Sequence, residues 1–252
     1  MHLFFHIFGL HLPGYGLMIA LGVVTANVIA LHLMRRYQLD GNDFLILEGY
    51  IFLGCFLGAK LLYLLVSIRQ IDWSRMLDSA YFNEVMQGGF VFYGGLIGGL
   101  GCMLLAGRLH HIDYKSYMRH LIFLIPWIHG FGRIGCFLAG CCYGMPYQGA
   151  LAVTFPETSM APAGIPLFPV QLVEAILLFL LAISIYLLDQ NAITHHTVAV
   201  YFIGYSIIRF FLEYVRYDTA RGKLLCFSTS QWISLLLFFG TIIYLFRQRC
   251  KQ

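Results

Sequence analysis

The segment HGFGRIGCFLAGCCYG, residues 129–144, concentrates reactive side chains in an apolar setting. Arg133 sits within a glycine-spaced hydrophobic run, and Cys136, Cys141 and Cys142 follow it closely. A charged side chain at the centre of a membrane helix costs at least ~2.5–3.5 kcal/mol, so it implies a function or a partner. Lys60, Glu174, Arg209 and Glu213 also fall within or beside apolar runs. Lys60 can instead snorkel to a helix end, and Glu213 can pair with an arginine. A guanidinium offers a planar fork that matches phosphate oxygens. Two permanent cations at one depth therefore suit an anion such as phosphate, and a phosphate inside a bilayer belongs to a phospholipid.

The elements that must position these residues follow from composition. The chain has 252 residues, of which 60% are hydrophobic and 11% charged. Soluble domains carry about 25% charged residues, so a soluble class is excluded. The net charge of +4 is scattered among loops and gives no nucleic-acid footprint. A membrane-crossing helix needs about 20 mostly apolar residues. Seven stretches qualify: about 14–34, 44–66, 89–107, 118–140, 169–188, 197–215 and 230–247. The fold class is thus an all-α membrane protein of about seven transmembrane helices, forming one integral-membrane domain over residues 1–252. The opening residues lack a charged start and a small-residue cleavage site, so the first span is expected to stay.

Orientation comes from the basic residues. Arg35, Arg36, Arg108, Lys115, Arg119 and the tail residues Arg247, Arg249 and Lys251 share one side. Arg69, Arg75, Arg216, Arg221 and Lys223 share the other. The positive-inside rule makes the first side cytoplasmic, with the N-terminus outside and the C-terminus inside. Tyr15, Tyr93, Arg133, Glu174 and Arg209 then all lie in the outer half of the bilayer. Residues 141–168 form a long external loop without Lys or Arg, expected to serve as a lid or acceptor-binding flap.

Glycines crowd the third span at positions 88, 89, 94, 95, 98, 99 and 101. Small residues at this spacing let helices approach closely. Gly94 and Gly95 flank Tyr93 and would also leave room for a bulky guest. No GxxxxGK[ST] phosphate loop is present.

Of the seven cysteines, Cys55 and Cys102 read as small buried hydrophobes, and Cys250 as a reduced cytoplasmic thiol. Cys136, Cys141, Cys142 and Cys226 face the oxidising side, and three readings stand for them. Cys226 pairs with Cys141 or Cys142 in a loop-stapling disulfide. A thiolate beside Arg133 acts as a nucleophile. His129 joins Cys136, Cys141 and Cys142 around a metal, although the spacing fits no C-x₂-C pattern and Cys136 to Cys141 does not stack at helical pitch. His129 precedes Arg133 by four residues and so shares its helix face.

Six segments occur together in one order: YGLMIALG (15–22), GGFVFYGGLIGG (88–99), GRIGCFLAGCCYG (132–144), VTFP (153–156), PVQLVEA (169–175) and GYSIIRFFLEYVR (204–216). In these the chain resembles the prolipoprotein diacylglyceryl transferases over nearly its whole length. The resemblance implies transfer of a diacylglyceryl group from phosphatidylglycerol to the thiol of a lipobox cysteine in a preprolipoprotein. It places that reaction at the outer face of the bacterial inner membrane, with no metal or other cofactor. Tyr15 resembles the family's first-span tyrosine, Arg133 its signature arginine and Gly144 its signature glycine. Gln171 and Glu174 correspond to its Gln-Leu-Tyr-Glu segment, and Tyr205 and Arg209 to its Tyr-x-x-x-Arg pair. The chain departs from the pattern where the family has a histidine at Tyr93 and Asn-Phe-x-Asn-x-Glu at Cys136 to Cys141.

The implied catalytic set is Arg133, Arg209 and Tyr93. The implied substrate-binding set is Tyr15, Gly94, Gly95, Cys136, Cys141, Gly144, Gln171, Glu174 and Tyr205. The arginines would neutralise the phosphate ester, while Tyr93, a nearby cysteine or His129 would help deprotonate the acceptor thiol. Two other readings stay open: a paralogue serving a different acceptor through Cys141 or Cys142, and a non-catalytic phospholipid-binding protein.

Overall fold

The structure, a computed structural model, describes residues 4–7, 10–217, 223–224 and 226–250. Arg221, Lys251 and Gln252 lie outside the described residues. The described chain is mostly helical. It divides into two units, residues 34–117 and residues 1–33 with 118–252.

The unit of residues 34–117 is built on α2 (Gly41–Val66) and α4 (Phe92–Leu109), with the short α3 (Ser79–Gln87) between them. Asp40 caps α2 by accepting from the N–H groups of Asn42 and Asp43. Gly54 and Gly58 of α2 meet Gly94 and Gly98 of α4. A Cβ on Gly98 would stand 3.0 Å from the Gly58 Cα, and one on Gly94 would collide with the Gly58 carbonyl. These glycines let two backbones touch, as small residues at four-residue spacing do in membrane helices. Gly95 packs against the Cys55 carbonyl, 3.2 Å from where its Cβ would be. Close helix packing therefore accounts for both Gly94 and Gly95, rather than space left for a guest.

Lys60 also finds a structural place. Its ammonium donates to the carbonyls of Val85, Met86 and Gly88 at 2.7, 2.9 and 3.0 Å. The last carbonyls of a helix have no intrahelical donor. Lys60 supplies one to the end of α3, so neither snorkelling nor a site role describes it.

The unit of residues 1–33 and 118–252 holds the second half of α5 (Tyr114–Leu121), and α6 (Leu124–Ala139), α7 (Val170–Gln190), α8 (Thr197–Leu212) and α9 (Thr229–Arg249). It also holds most of α1 (Gly14–Tyr37), which follows a hairpin of β1 (Phe4–Ile7) and β2 (Leu10–Pro13). The expected fourth span is broken, because α5 and α6 meet at 54°. Pro126 explains the break, since it offers no N–H to the preceding turn and is tolerated within a helix only near its start. The buried face of α7 repeats at helical pitch through Gln171, Glu174, Leu178, Leu181, Ile185 and Asp189. Ser228 and Gln231 form a reciprocal capping box at the start of α9.

Among the described residues, five helices are long and apolar enough to cross a membrane, and the bent α5–α6 pair makes up to six. Seven were expected. The third expected span is the short α4, whose 18 residues reach about 27 Å at 1.5 Å per residue. The chain is a multi-pass membrane protein, with leucines, valines and phenylalanines exposed along its helices.

Residues 141–168 are folded rather than open. β3 (Val153–Thr154) pairs with β4 (Pro166–Leu167), and Phe155, Ala161 and Leu167 form a small buried cluster against Phe137, Tyr143 and Val153.

Candidate active site

Glu174 is the centre of the site. It lies in the second turn of α7, 1% exposed, and three arginines from separate segments converge on it. Arg133 of α6 places Nε 3.1 Å from Oε1. Arg209 of α8 lies 3.9 Å from the same oxygen, and Arg216 approaches Oε2 at 3.7 Å. Arg209 also holds Glu213 at 2.8 Å, one helical turn away, and donates to Ser230 Oγ at 3.2 Å. Among the described residues, three guanidiniums thus face two carboxylates. One positive charge remains in excess, in a setting where water contributes little screening.

Arg216 is the member that sequence reasoning left among the outer-loop charges. The spacing of Arg209, Glu213 and Arg216 at helical pitch was the available signal. The rest comes from backbone pairing. Gly144 bridges to Arg216, Met145 N–H donates to the Val215 carbonyl at 2.9 Å, and Tyr217 N–H donates to the Tyr143 carbonyl at 3.2 Å. A Cβ on Gly144 would run into the Phe168 carbonyl and stand 3.1 Å from the Val215 carbonyl. Only a glycine lets these three strands of chain meet and hold Arg216 against Glu174.

The cysteines gather at the end of α6. Gly140 ends the helix in the left-handed region at φ 72°, and Cys142 follows at φ 56°. The chain turns back on itself, and Cys141 N–H donates to the Cys136 carbonyl at 3.1 Å. The sulfurs of Cys136, Cys141 and Cys142 consequently lie within 4.8 Å of one another. Helical pitch argued against this grouping because it assumed that the helix continues. Hydrogen bonds from the other two thiols, with Arg216 and Arg133 nearby, hold the Cys142 thiol below its ordinary pKa. Hydrogen bonding with its neighbours, together with burial, pushes Cys141 up. The structure joins none of the described cysteines in a disulfide, and Cys226 is exposed.

Gln171 is buried one turn before Glu174 and donates from Nε2 to the Cys141 carbonyl at 2.9 Å. It therefore ties α7 to the cysteine turn. Tyr15 opens α1, and its backbone lies against Gly135, where an added Cβ would stand 3.1 Å from the Tyr15 Cα. Tyr205 stacks on Tyr201 and meets the ring of His129 at 5.7 Å between centroids. His129 accordingly faces an aromatic pair and is not part of the three-sulfur group. Tyr93 begins the described side chains of α4 in the unit of residues 34–117, 39% exposed, beside the packed Gly94 and Gly95.

Comparison with known proteins bears on this geometry. A family model described as prolipoprotein diacylglyceryl transferase matches residues 2–247. A phosphatidylglycerol–prolipoprotein diacylglyceryl transferase 2 of Clostridium perfringens is 36% identical over 243 residues, covering 94% of this chain and 91% of the relative. The corresponding transferase of Clostridium tetani is 36% identical over 239 residues, with 92% and 91% covered. That of Pasteurella multocida is 31% identical over 223 residues, with 86% and 79% covered.

Proposed function

The chain belongs to the prolipoprotein diacylglyceryl transferase family, and from that premise we propose that it moves a diacylglyceryl group from phosphatidylglycerol to the cysteine thiol of a prolipoprotein. The observation that carries the reading is the buried cluster of Arg133, Arg209 and Arg216 on Glu174 and Glu213, with its excess of one positive charge among the described residues. A phosphodiester headgroup brings the single negative charge that this cluster lacks.

In the reaction, the acceptor sulfur forms a bond to a glyceryl carbon as that carbon's bond to a phosphate oxygen breaks. The electron pair leaves on the phosphate, so charge builds on the departing glycerol phosphate. Fixed guanidiniums stabilise developing charge without reorganising at the moment of reaction. Glu174 holds them in place, and a phosphate oxygen replaces part of its hold when the lipid binds. Arg133 and Arg209 are the proposed catalytic residues carried from sequence, with Arg216 added. Tyr15, Gly144, Gln171 and Tyr205 surround the arginines or support the segments that carry them. Tyr93 enters from sequence alone, as a hydrogen-bonding group for headgroup or thiol.

The proposed setting is the bacterial inner membrane, with the site toward the outer leaflet, the N-terminus outside and the C-terminus in the cytoplasm. The acceptor is the lipobox of a signal peptide. Expression in a strain depleted of its own transferase tests the reading, with lipoprotein mass as the readout. Restored diacylglyceryl modification by the wild-type chain, lost in Arg133→Lys, is the expected result. A well-expressed chain that leaves lipoproteins unmodified would overturn it. The three thiols beside the arginines favour, as a second reading, transfer to a different thiol acceptor, which the same assay distinguishes.

A further inference from the structure

We infer that Cys136, Cys141 and Cys142 form a three-thiolate site for a thiophilic divalent cation of the zinc type, whose remaining position takes the acceptor thiol. The inference rests on the transfer reading above and specifies how the acceptor is activated.

Geometry comes first. The three sulfurs lie within 4.8 Å of one another. A tetrahedral zinc with Zn–S bonds of about 2.3 Å holds its sulfurs about 3.8 Å apart. Closing a gap of this size takes small rotations of the thiol side chains. Three protein ligands with one open position is the ligand count of catalytic zinc, whereas structural zinc is closed by four.

The fold also builds the site rather than merely permitting it. Gly140 turns the chain in a conformation that only glycine adopts readily, and Cys142 takes the left-handed region despite its side chain. Gln171 anchors the Cys141 carbonyl from a neighbouring helix. Arg133 precedes Cys136 by three residues on α6, and Arg216 pairs with the backbone of Gly144 two residues past Cys142. Arg133 and Arg216 thus flank the cysteine turn along the chain, each paired with Glu174.

Chemistry separates this reading from its rivals. If a cysteine of the cluster took the diacylglyceryl group itself, the product would be a thioether, and a second thiol displaces carbon from a thioether only with great difficulty. A nucleophilic role would therefore end in a dead enzyme. A disulfide within the cluster would leave one thiol over. A metal-bound acceptor thiol, by contrast, gives up its proton to solvent on binding and remains a nucleophile. Its sulfur then forms the S–C bond while the C–O bond to phosphate breaks, and the metal changes neither charge nor oxidation state.

Cobalt(II) is the probe, titrated into the reduced full-length chain in detergent. The expected result is one equivalent per chain, with sulfur-to-cobalt charge transfer and tetrahedral visible absorption, displaced by zinc. Cys136→Ser, Cys141→Ser and Cys142→Ser should each weaken binding at least about tenfold, whereas Cys55→Ser and Cys102→Ser should not. Gly140→Ala keeps all three thiols but opposes the turn, and should weaken binding in a chain that still unfolds cooperatively. A lipobox peptide should shift the visible bands, and its Cys→Ser analogue should leave them unchanged. Absence of a stoichiometric cobalt spectrum, or its persistence in the three cysteine variants, overturns the inference. Full transfer activity in chelator-treated, metal-free protein also overturns it and leaves the transfer reading standing. Cobalt bands that respond to the peptide in a chain that transfers no lipid would sink the transfer reading, and with it the acceptor role.

Discussion

Arg133 Nε lies 3.1 Å from Glu174 Oε1, so the arginine of the glycine-spaced run is paired with a carboxylate on the next helix along the chain. That pair joins α6 to α7 at the same level where Arg209 and Arg216 arrive. A carboxylate shared by three cations makes each of them dependent on it.

Glu174→Gln should therefore be among the most damaging single substitutions. It leaves the guanidiniums with Glu213 as their remaining acidic partner among those described here. Removing one member of a buried ion pair costs about 3–5 kcal/mol. A thermal melt in detergent should show a large drop in the unfolding midpoint together with loss of transfer. An unchanged midpoint would mean that the cluster does not hold these helices together.

Charge alone should not replace the arginine fork. Arg133→Lys and Arg209→Lys each keep a cation but cannot bind two phosphate oxygens in one plane. Each should lower transfer from phosphatidylglycerol to a cysteine peptide by about 10²-fold, the scale of removing one transition-state donor. Arg216→Lys should do the same. Near-normal rates in all three would exclude a bidentate clamp.

Gly144→Ala tests whether Arg216 is positioned by the loop. The new methyl group would push on the carbonyls of Phe168 and Val215. Overpacking of this kind costs about 1–3 kcal/mol. Transfer should fall along with stability, and Gly101→Ala, whose Cβ would meet open space, is the control. Equal behaviour of the two variants would remove the positioning role.

Lys60→Met should destabilise the unit of residues 34–117 by leaving the carbonyls of Val85, Met86 and Gly88 without their donor. The expected cost is about 1–3 kcal/mol. Hydrogen exchange should rise at the end of α3 before it rises elsewhere. No local change there would mean that water caps the helix as well as the lysine does.

The proposed orientation can be read by labelling. Met160, highly exposed in the loop of residues 141–168, is replaced by cysteine in a Cys226→Ser background. An impermeant maleimide should label it in intact cells, whereas Cys250 should react only after permeabilisation. The reverse pattern would place the site in the inner leaflet.

Much of this protein was legible in its sequence, because membrane insertion is governed by local rules. A run of apolar residues must satisfy its own backbone as a helix, so the helical class followed from composition and length, although five to six candidate spans stand among the described residues where seven were expected. The same rule made Arg133, Glu174 and Arg209 conspicuous, since charge in an apolar run demands a reason. Other features were not local. The break between α5 and α6 had a signal in Pro126, yet the apolar run reads straight through it. Gly94 and Gly95 look alike whether they leave space for a guest or press against a helix, and only the position of Gly58 and Cys55 decided for packing. Lys60 found its carbonyls 25 to 28 residues away. Arg216 joined the site through backbone pairing with Gly144, which no side-chain pattern encodes. The three sulfurs met because a left-handed turn at Gly140 ended the helix between them, and helical pitch says nothing beyond a helix end. The sequence determined which residues are too costly to be idle. Tertiary structure decided which of them meet, because ion pairs and ligand sets form between segments whose separation along the chain carries no information about their distance in space.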